Sequence, residues 1–208
     1  MKQLLICIVA FFLVCCSKAT FNAEWTKDPA PPTYIARFET SKGNFDIQVT
    51  RAWSPEAADR LHQLLLHRFY DNTLFYRVVP NFVAQFGNID TTVTKKWDKF
   101  KVADEPVIKS NLRGYVSFAR AGKETRGNDL FINLKDNQRL DTVRVENVVG
   151  YPVLGKVING MDVVASFYAL YGNKTMDVYD SLSANRKKYL QLFPKLDSIK
   201  KAYILKSK

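Results

Sequence analysis

Cysteine is almost missing from this 208-residue chain: Cys7, Cys15 and Cys16 are the only three, all within the first 16 residues. Beyond them there is no thiol for a disulfide, a thiolate nucleophile or a cysteine metal site. Histidine is scarcer still, with His62 and His67 alone. Five positions apart on a helix, they are separated by about 500° of rotation and cannot form an i, i+4 metal pair. They read as surface or helix-boundary residues. There is no Gly-x-Ser-x-Gly elbow, no phosphate-binding P-loop and no triple-glycine dinucleotide pattern. The net charge is +11, yet no block of five or six like charges occurs. The lysines fall in scattered pairs such as Lys95-Lys96, Lys187-Lys188 and Lys200-Lys201. No helix-turn-helix, zinc or RNA-binding motif accompanies them, so the charge reads as a solvated surface and no nucleic-acid partner is expected. The acid pair Asp104-Glu105 reads as solvated loop residues. If the chain is an enzyme, its reaction should need no nucleophile, metal or cofactor.

What is present is ample core material: 47% hydrophobic and 13% aromatic residues, with 25% charged. That composition suits one ordinary soluble domain with extensions. At the N-terminus Lys2 precedes an unbroken apolar run, Leu4 to Val14. A bilayer span needs about 20 residues, so the run is too short to cross and fits a secretory h-region. The Leu13-Val14-Cys15-Cys16 step that follows resembles a bacterial lipoprotein signal. That resemblance implies removal of residues 1–15, acylation of Cys16, and a lipid anchor holding the protein to a membrane of a Gram-negative envelope, facing the periplasm. A plain secretory signal or membrane anchor is the alternative. Residues 16–33, with "KDPAPP", then read as a polar tether to a domain at 34–208.

Within the domain, Phe45, Ile47 and Val49 alternate with Asn44, Asp46 and Gln48, the period of a half-buried strand. With "SKGN" as turn chemistry, 34–50 reads as a hairpin. Ser54 and Pro55 open an amphipathic helix over 55–67. Strands follow at 74–79, 82–86, 115–119, 130–134 and 153–158. A second helix is predicted at 160–170, a third, lysine-rich one at 180–193, and a last strand at 198–205. The polar stretch 88–110 reads as a loop, with at most short strands. This inventory argues for an all-β sandwich or barrel with helical caps.

One stretch carries chemistry. In "FYRVVPNFVAQFG", residues 75–87, Arg77 sits among apolar and aromatic side chains. Strand alternation places Phe75, Arg77 and Val79 on one face and Tyr76 and Val78 on the other. An arginine at a barrel rim with its stem packed and its head in water is the plain reading. A guanidinium does not deprotonate in proteins, so it is no general base, but it donates hydrogen bonds in a fixed fork. One reaction suits such a donor in an apolar groove: rotation about an Xaa-Pro bond. Its barrier of about 18–20 kcal/mol is lost amide resonance. At the twisted transition state the prolyl nitrogen regains a lone pair, and a donor aimed there stabilises that state above the planar one.

At this point the segment resembles the cyclophilin-type peptidyl-prolyl cis-trans isomerases. Arg77, Phe82 and Gln85 fall on the family's catalytic arginine, pocket phenylalanine and neighbouring glutamine. "GYVSFARAG" (114–122) resembles the strand ending in substrate contacts, here Ala119 and Arg120. "NDLFINL" (128–134) resembles the next, placing Phe131 in the proline pocket and Asp129 at a substrate position. "RLD" (139–141) places Leu140 in the pocket, and "YPVLGKVINGMDVV" (151–164) places Tyr151 where many members have histidine. The resemblance implies a mainly β protein: an eight-stranded antiparallel barrel capped by two helices, here with an extra C-terminal helical segment at about 172–194. It implies isomerase activity on proline-containing polypeptides without cofactor or metal, by a monomer. Because Phe82 and Gln85 should alternate onto opposite faces, a shared site requires a bulge or bend between them. The departures are Arg120, Asp129 and Arg139, where Asn, Gln and Trp are common. Arg120 and Asp129 could pair across the groove. A carboxylate at 129 near Arg77 could also compete for its donors, which would suit a peptide-binding chaperone without turnover. The resemblance assigns no role to the insert at 142–150 or to the segment at about 172–194.

Overall fold

The computed structural model describes residues 21–179 and 185–207. The expected signal peptide, Cys16 and residues 180–184 of the predicted third helix lie outside these.

The hairpin forms as its alternation requires. Strands β1 (Thr33–Thr40) and β2 (Gly43–Thr50) pair in register from Thr33↔Thr50 to Thr40↔Gly43. Gly43 has φ 129°, a conformation that side chains resist, and Thr40 Oγ1 closes the turn onto the Gly43 carbonyl at 2.6 Å. Tyr34, Ala36 and Phe38 point inward from β1, and Phe45, Ile47 and Val49 from β2. Helix α1 (Pro55–Leu66) follows, then β3 (Thr73–Val79) and β4 (Val83–Gly87). Helix α2 (Thr91–Trp97) precedes β5 (Tyr115–Phe118) and β6 (Leu130–Asn133). A small hairpin, β7 (Arg144–Val145) with β8 (Val148–Val149), occupies the insert at 142–150. Strand β9 (Val153–Asn159), α3 (Met161–Ala165), α4 (Arg186–Leu192) and β10 (Ser198–Ser207) complete the order.

Eight strands close into an antiparallel barrel in the order β1-β10-β3-β4-β6-β5-β9-β2. Closure removes the exposed strand edges that would otherwise invite aggregation. Its interior is aromatic. Phe38 and Phe45 stack at 4.9 Å, Phe75 and Phe167 at 3.9 Å, and Phe86 meets Phe38 edge-on. Leu61, Leu64 and Leu65 of α1 and Val164 of α3 enter the same core, so these helices cap the barrel as the resemblance implies.

Several local expectations give way. The stretch 88–110 contains α2, whose Asp90 side chain accepts from Thr92 N at 2.9 Å and whose Trp97 is buried. Three threonines lower its intrinsic helicity, so packing of Trp97 decides it. Helix α3 ends at Ala165, five residues short of 170. From Phe21 onward the predicted tether is docked on the domain. Phe21 packs edge-on to Trp97 at 5.1 Å, and Trp25 stacks on His67 at 3.6 Å. Asp104 and Glu105 are not solvated acids. The Glu105 carboxylate accepts from Glu56 N at 2.8 Å and from the Ser54 hydroxyl. It thereby caps α1 in place of Ser54, whose own side chain makes no cap bond. Glu105 and Asp104 also neutralise Arg126 and Arg120, whose side chains are both 0% exposed.

Candidate active site

The site is built on an irregularity of β3. Leu74 pairs with Gly87, but Arg77 pairs with Gln85, so β3 carries one residue more than β4 between these points. This bulge overturns simple alternation. Phe75 and Val78 both enter the barrel core, while Tyr76 joins Leu74 in a separate outer cluster. Arg77 stands opposite Gln85 on the outside as a direct cross-strand neighbour. Phe82 precedes β4, in a turn where Asn81 has φ 56°. The bend expected between Phe82 and Gln85 is thus this turn, and the bulge lies in the partner strand. The Phe82 carbonyl is fixed by Leu134 N at 2.9 Å and Asn137 Nδ2 at 2.8 Å.

A cavity of about 150 Å³ lies on this outer face. Arg77, Phe82, Gln85, Ala119, Arg120, Phe131, Leu140 and Tyr151 all line it, together with Val83. Its floor is apolar: Val83, Phe131 and Leu140 form one buried cluster against Phe82, Ala119 and Tyr151. Leu140 rides on a 3-10 turn, Gln138–Asp141, tied to the wall by Tyr151 N donating to Leu140 O at 2.8 Å. Phe131 and Tyr151 meet edge-on at 5.6 Å. Arg139 lays its guanidinium 4.8 Å from the centre of the Phe82 ring.

Arg77 is held at two nitrogens. Its Nη1 donates to Gln85 Oε1 at 3.0 Å and its Nε to Asn173 Oδ1 at 2.8 Å. Gln85 is itself oriented, donating from Nε2 to Tyr76 Oη at 2.6 Å. Nη2 has no hydrogen-bond partner among the described residues. Burial lowers the Arg77 pKa from its usual value. A guanidinium starts so high that it stays charged.

Two sequence expectations fail here. Arg120 does not pair with Asp129. It binds Asp104 at 3.3 Å, donates to the Gly150 carbonyl, and lies over the Tyr151 ring at 5.1 Å. Asp129 does not line the groove. It borders a neighbouring cavity of about 390 Å³, which Ala119 also touches. The residue is part-exposed, but its Oδ1 is enclosed without a hydrogen bond. It lies against Gly87, where a side chain's Cβ would come within 1.7 Å of that oxygen. Burial, then repulsion from Asp98, push the Asp129 carboxyl up to about 7, with the Tyr76 hydroxyl pulling the other way.

Sequence reasoning missed Val83, Tyr76 and Asn173. Val83 follows from its period-two relation to Gln85 in β4. Tyr76 is hidden by the bulge, and Asn173, 96 positions from Arg77, leaves no local signal.

The site is thus an antiparallel barrel's outer face carrying a buttressed arginine beside a small apolar cavity. A model of the family described as cyclophilin type peptidyl-prolyl cis-trans isomerase/CLD matches residues 35–181. The chain belongs to that family and is a peptidyl-prolyl cis-trans isomerase. A peptidyl-prolyl cis-trans isomerase of Acinetobacter baylyi is 33% identical over 132 residues, spanning 62% of this chain and 69% of that protein. Peptidyl-prolyl cis-trans isomerase A of Dickeya dadantii is likewise 33% identical over 132 residues, spanning 60% and 65%. Among solved structures, a cyclophilin type isomerase of Cryptosporidium parvum has a TM-score of 0.57 at 21% identity, covering 85% of this chain and 99% of that one. A cyclophilin from Hirschia baltica has a TM-score of 0.57 at 17% identity, covering 90% and 82%. These two share the fold.

Proposed function

We propose that this isomerase acts on Xaa-Pro bonds of exported proteins and that Arg77 is the residue that lowers the barrier. The carrying observation is the state of its guanidinium: Nε and Nη1 are occupied and, among the described residues, Nη2 is left over, beside an apolar cavity. A proline ring buried against Phe131, Leu140 and Phe82 would bring the rotating amide under that donor. As the amide twists, its nitrogen pyramidalises and accepts a bond that the planar amide cannot. A preorganised donor of this kind is worth about 2.7–4 kcal/mol. No proton is transferred, so Arg77 needs no general base. The competing idea of a chaperone without turnover rested on Asp129 drawing away the Arg77 donors. Asp129 makes no bond to Arg77, so that support is gone.

The test is cis-trans exchange of Xaa-Pro peptides followed by NMR. Arg77→Ala should lower kcat/KM by about 100-fold or more while peptide still binds. A loss of only a few-fold would refute the donor role.

The same reading assigns the protein to a Gram-negative envelope as a monomer, lipid-anchored through Cys16, facing the periplasm and its unfolded, proline-containing clients, with no nucleic-acid partner. The support is the sequence of residues 1–16; the first described residue, Phe21, is docked on Trp97. From Cys16 to Phe21 is five peptide steps, a reach of about 18 Å at most. An anchored domain would therefore ride close to the membrane surface.

A further inference from the structure

The segment between α3 and β10 is more than a decoration on the barrel, because it reaches the reacting face. It is fastened to the outside of β3. Tyr179 packs on Tyr76 at 4.8 Å, and Tyr189 of α4 shares a buried cluster with Leu74 and Tyr76. Tyr189 Oη also donates to the Thr175 carbonyl at 3.3 Å, and Thr175 is wholly buried. Just ahead of these fixed points the chain turns tightly. Gly172 adopts φ 52° and donates to Ala169 O, and Met176 N donates to Asn173 O at 2.8 Å. Tyr171, just before the turn, packs edge-on against Tyr168 and Phe193. The turn thus presents Asn173 Oδ1 to Arg77 Nε at 2.8 Å.

We infer that Asn173 is a positioning residue for the isomerase reaction, supplied by the C-terminal segment, that orients the Arg77 guanidinium together with Gln85. The inference rests on the Arg77 donor mechanism proposed above. Its physics is that of a rigid plane. One hydrogen bond, from Nη1 to Gln85, leaves the guanidinium a pivot about that contact. A second acceptor at a different nitrogen removes the rotation and fixes where Nη2 points. Alignment of a donor with charge that develops only at the twisted state is what sets its catalytic value, so loosening it acts on turnover more than on binding.

The experiment uses the full chain and the same NMR exchange assay, resolving kcat from KM. Asn173→Ala should lower kcat by about 3- to 10-fold with KM nearly unchanged. Asn173→Asp, which keeps an oxygen acceptor in place, should restore kcat to within about twofold of the parent. In an Arg77→Ala background, Asn173→Ala should cost nothing further. The Nε–Hε cross-peak of Arg77 should be shifted in the parent and in Asn173→Asp, and move to a solvent-exposed arginine position in Asn173→Ala. An unchanged kcat in Asn173→Ala overturns the inference. So does an added loss in the Arg77→Ala background, or a kcat loss that Asn173→Asp does not recover. If Arg77→Ala itself keeps full activity, the donor mechanism falls and carries this inference with it. The cross-peak then separates that failure from a failure of Asn173 to hold the guanidinium.

Discussion

Replacing Asp129 by asparagine should make the protein more stable at pH 8, by a smaller margin at pH 5, and leave it little changed only below about pH 4. The carboxyl is held near 7 against an ordinary 3.8, because burial and then Asp98 penalise its charge. Between those two values the folded chain binds more protons than the unfolded one. Stability from this group is therefore full below about pH 4, falls as pH climbs, and is lost by about pH 7. Each pKa unit is about 1.36 kcal/mol, so the rise from 3.8 to about 7 sets an upper limit of about 4 kcal/mol. In Asp129→Asn the amide would present the same outline to Gly87 and Tyr76 without a charge to desolvate. The neighbouring Asp98 is also raised by burial. The assay is urea unfolding of both proteins from pH 5 to pH 8, with melting temperatures in parallel. For a domain of this size each kcal/mol moves Tm by about 2–4 °C. The two stability curves should draw apart from pH 5 to about pH 7 and keep a constant gap above it, the variant on top. Parallel curves, or a variant weaker than the parent at pH 8, would show that Asp129 is ionised and well solvated, and the burial argument would be wrong.

Glu105→Gln should destabilise the fold by about 3 kcal/mol, because it leaves the buried Arg126 without its nearest carboxylate and weakens the cap of α1. A change below about 0.5 kcal/mol in urea unfolding is what a solvated loop acid would give, and would count against the pair. Cys16→Ser should abolish incorporation of labelled fatty acid and move the protein from the membrane fraction to the soluble one. Retention of label would place acylation elsewhere, and membrane association without label would favour a plain N-terminal anchor.

The parts of this fold that were legible in the sequence are those decided by neighbours along the chain. Alternation in Phe45, Ile47 and Val49 marks β2, and Pro55 after Ser54 marks the start of α1, because both periods are set by backbone geometry alone. The groove residues emerged together because their order along the chain matches a family pattern, although no single residue among them proves a site. What escaped was settled by contacts between distant segments. Glu105 caps α1 from 49 positions away, so the pair Asp104-Glu105 looks solvated until Arg120 and Arg126 are seen beneath it. Threonine-rich α2 is held by the burial of Trp97 against Phe21 and Phe69, which no local propensity reports.

The bulge in β3 shows how small the difference between legible and illegible can be. A single extra residue between Leu74 and Arg77 inverts the parity of everything before it. With strict alternation, Tyr76 would face the barrel interior beside Val78, and the outer cluster would lose its anchor on β3. With the bulge, Tyr76 and Arg77 leave the barrel together. Tyr76 then does two things from one position: its hydroxyl orients Gln85 and its ring receives Tyr179 of the C-terminal segment. That seat is what brings the Asn173 turn within reach of Arg77. The second support of Arg77 is therefore a consequence of one inserted backbone residue, and the C-terminal segment is tied to the site through the strand that carries it.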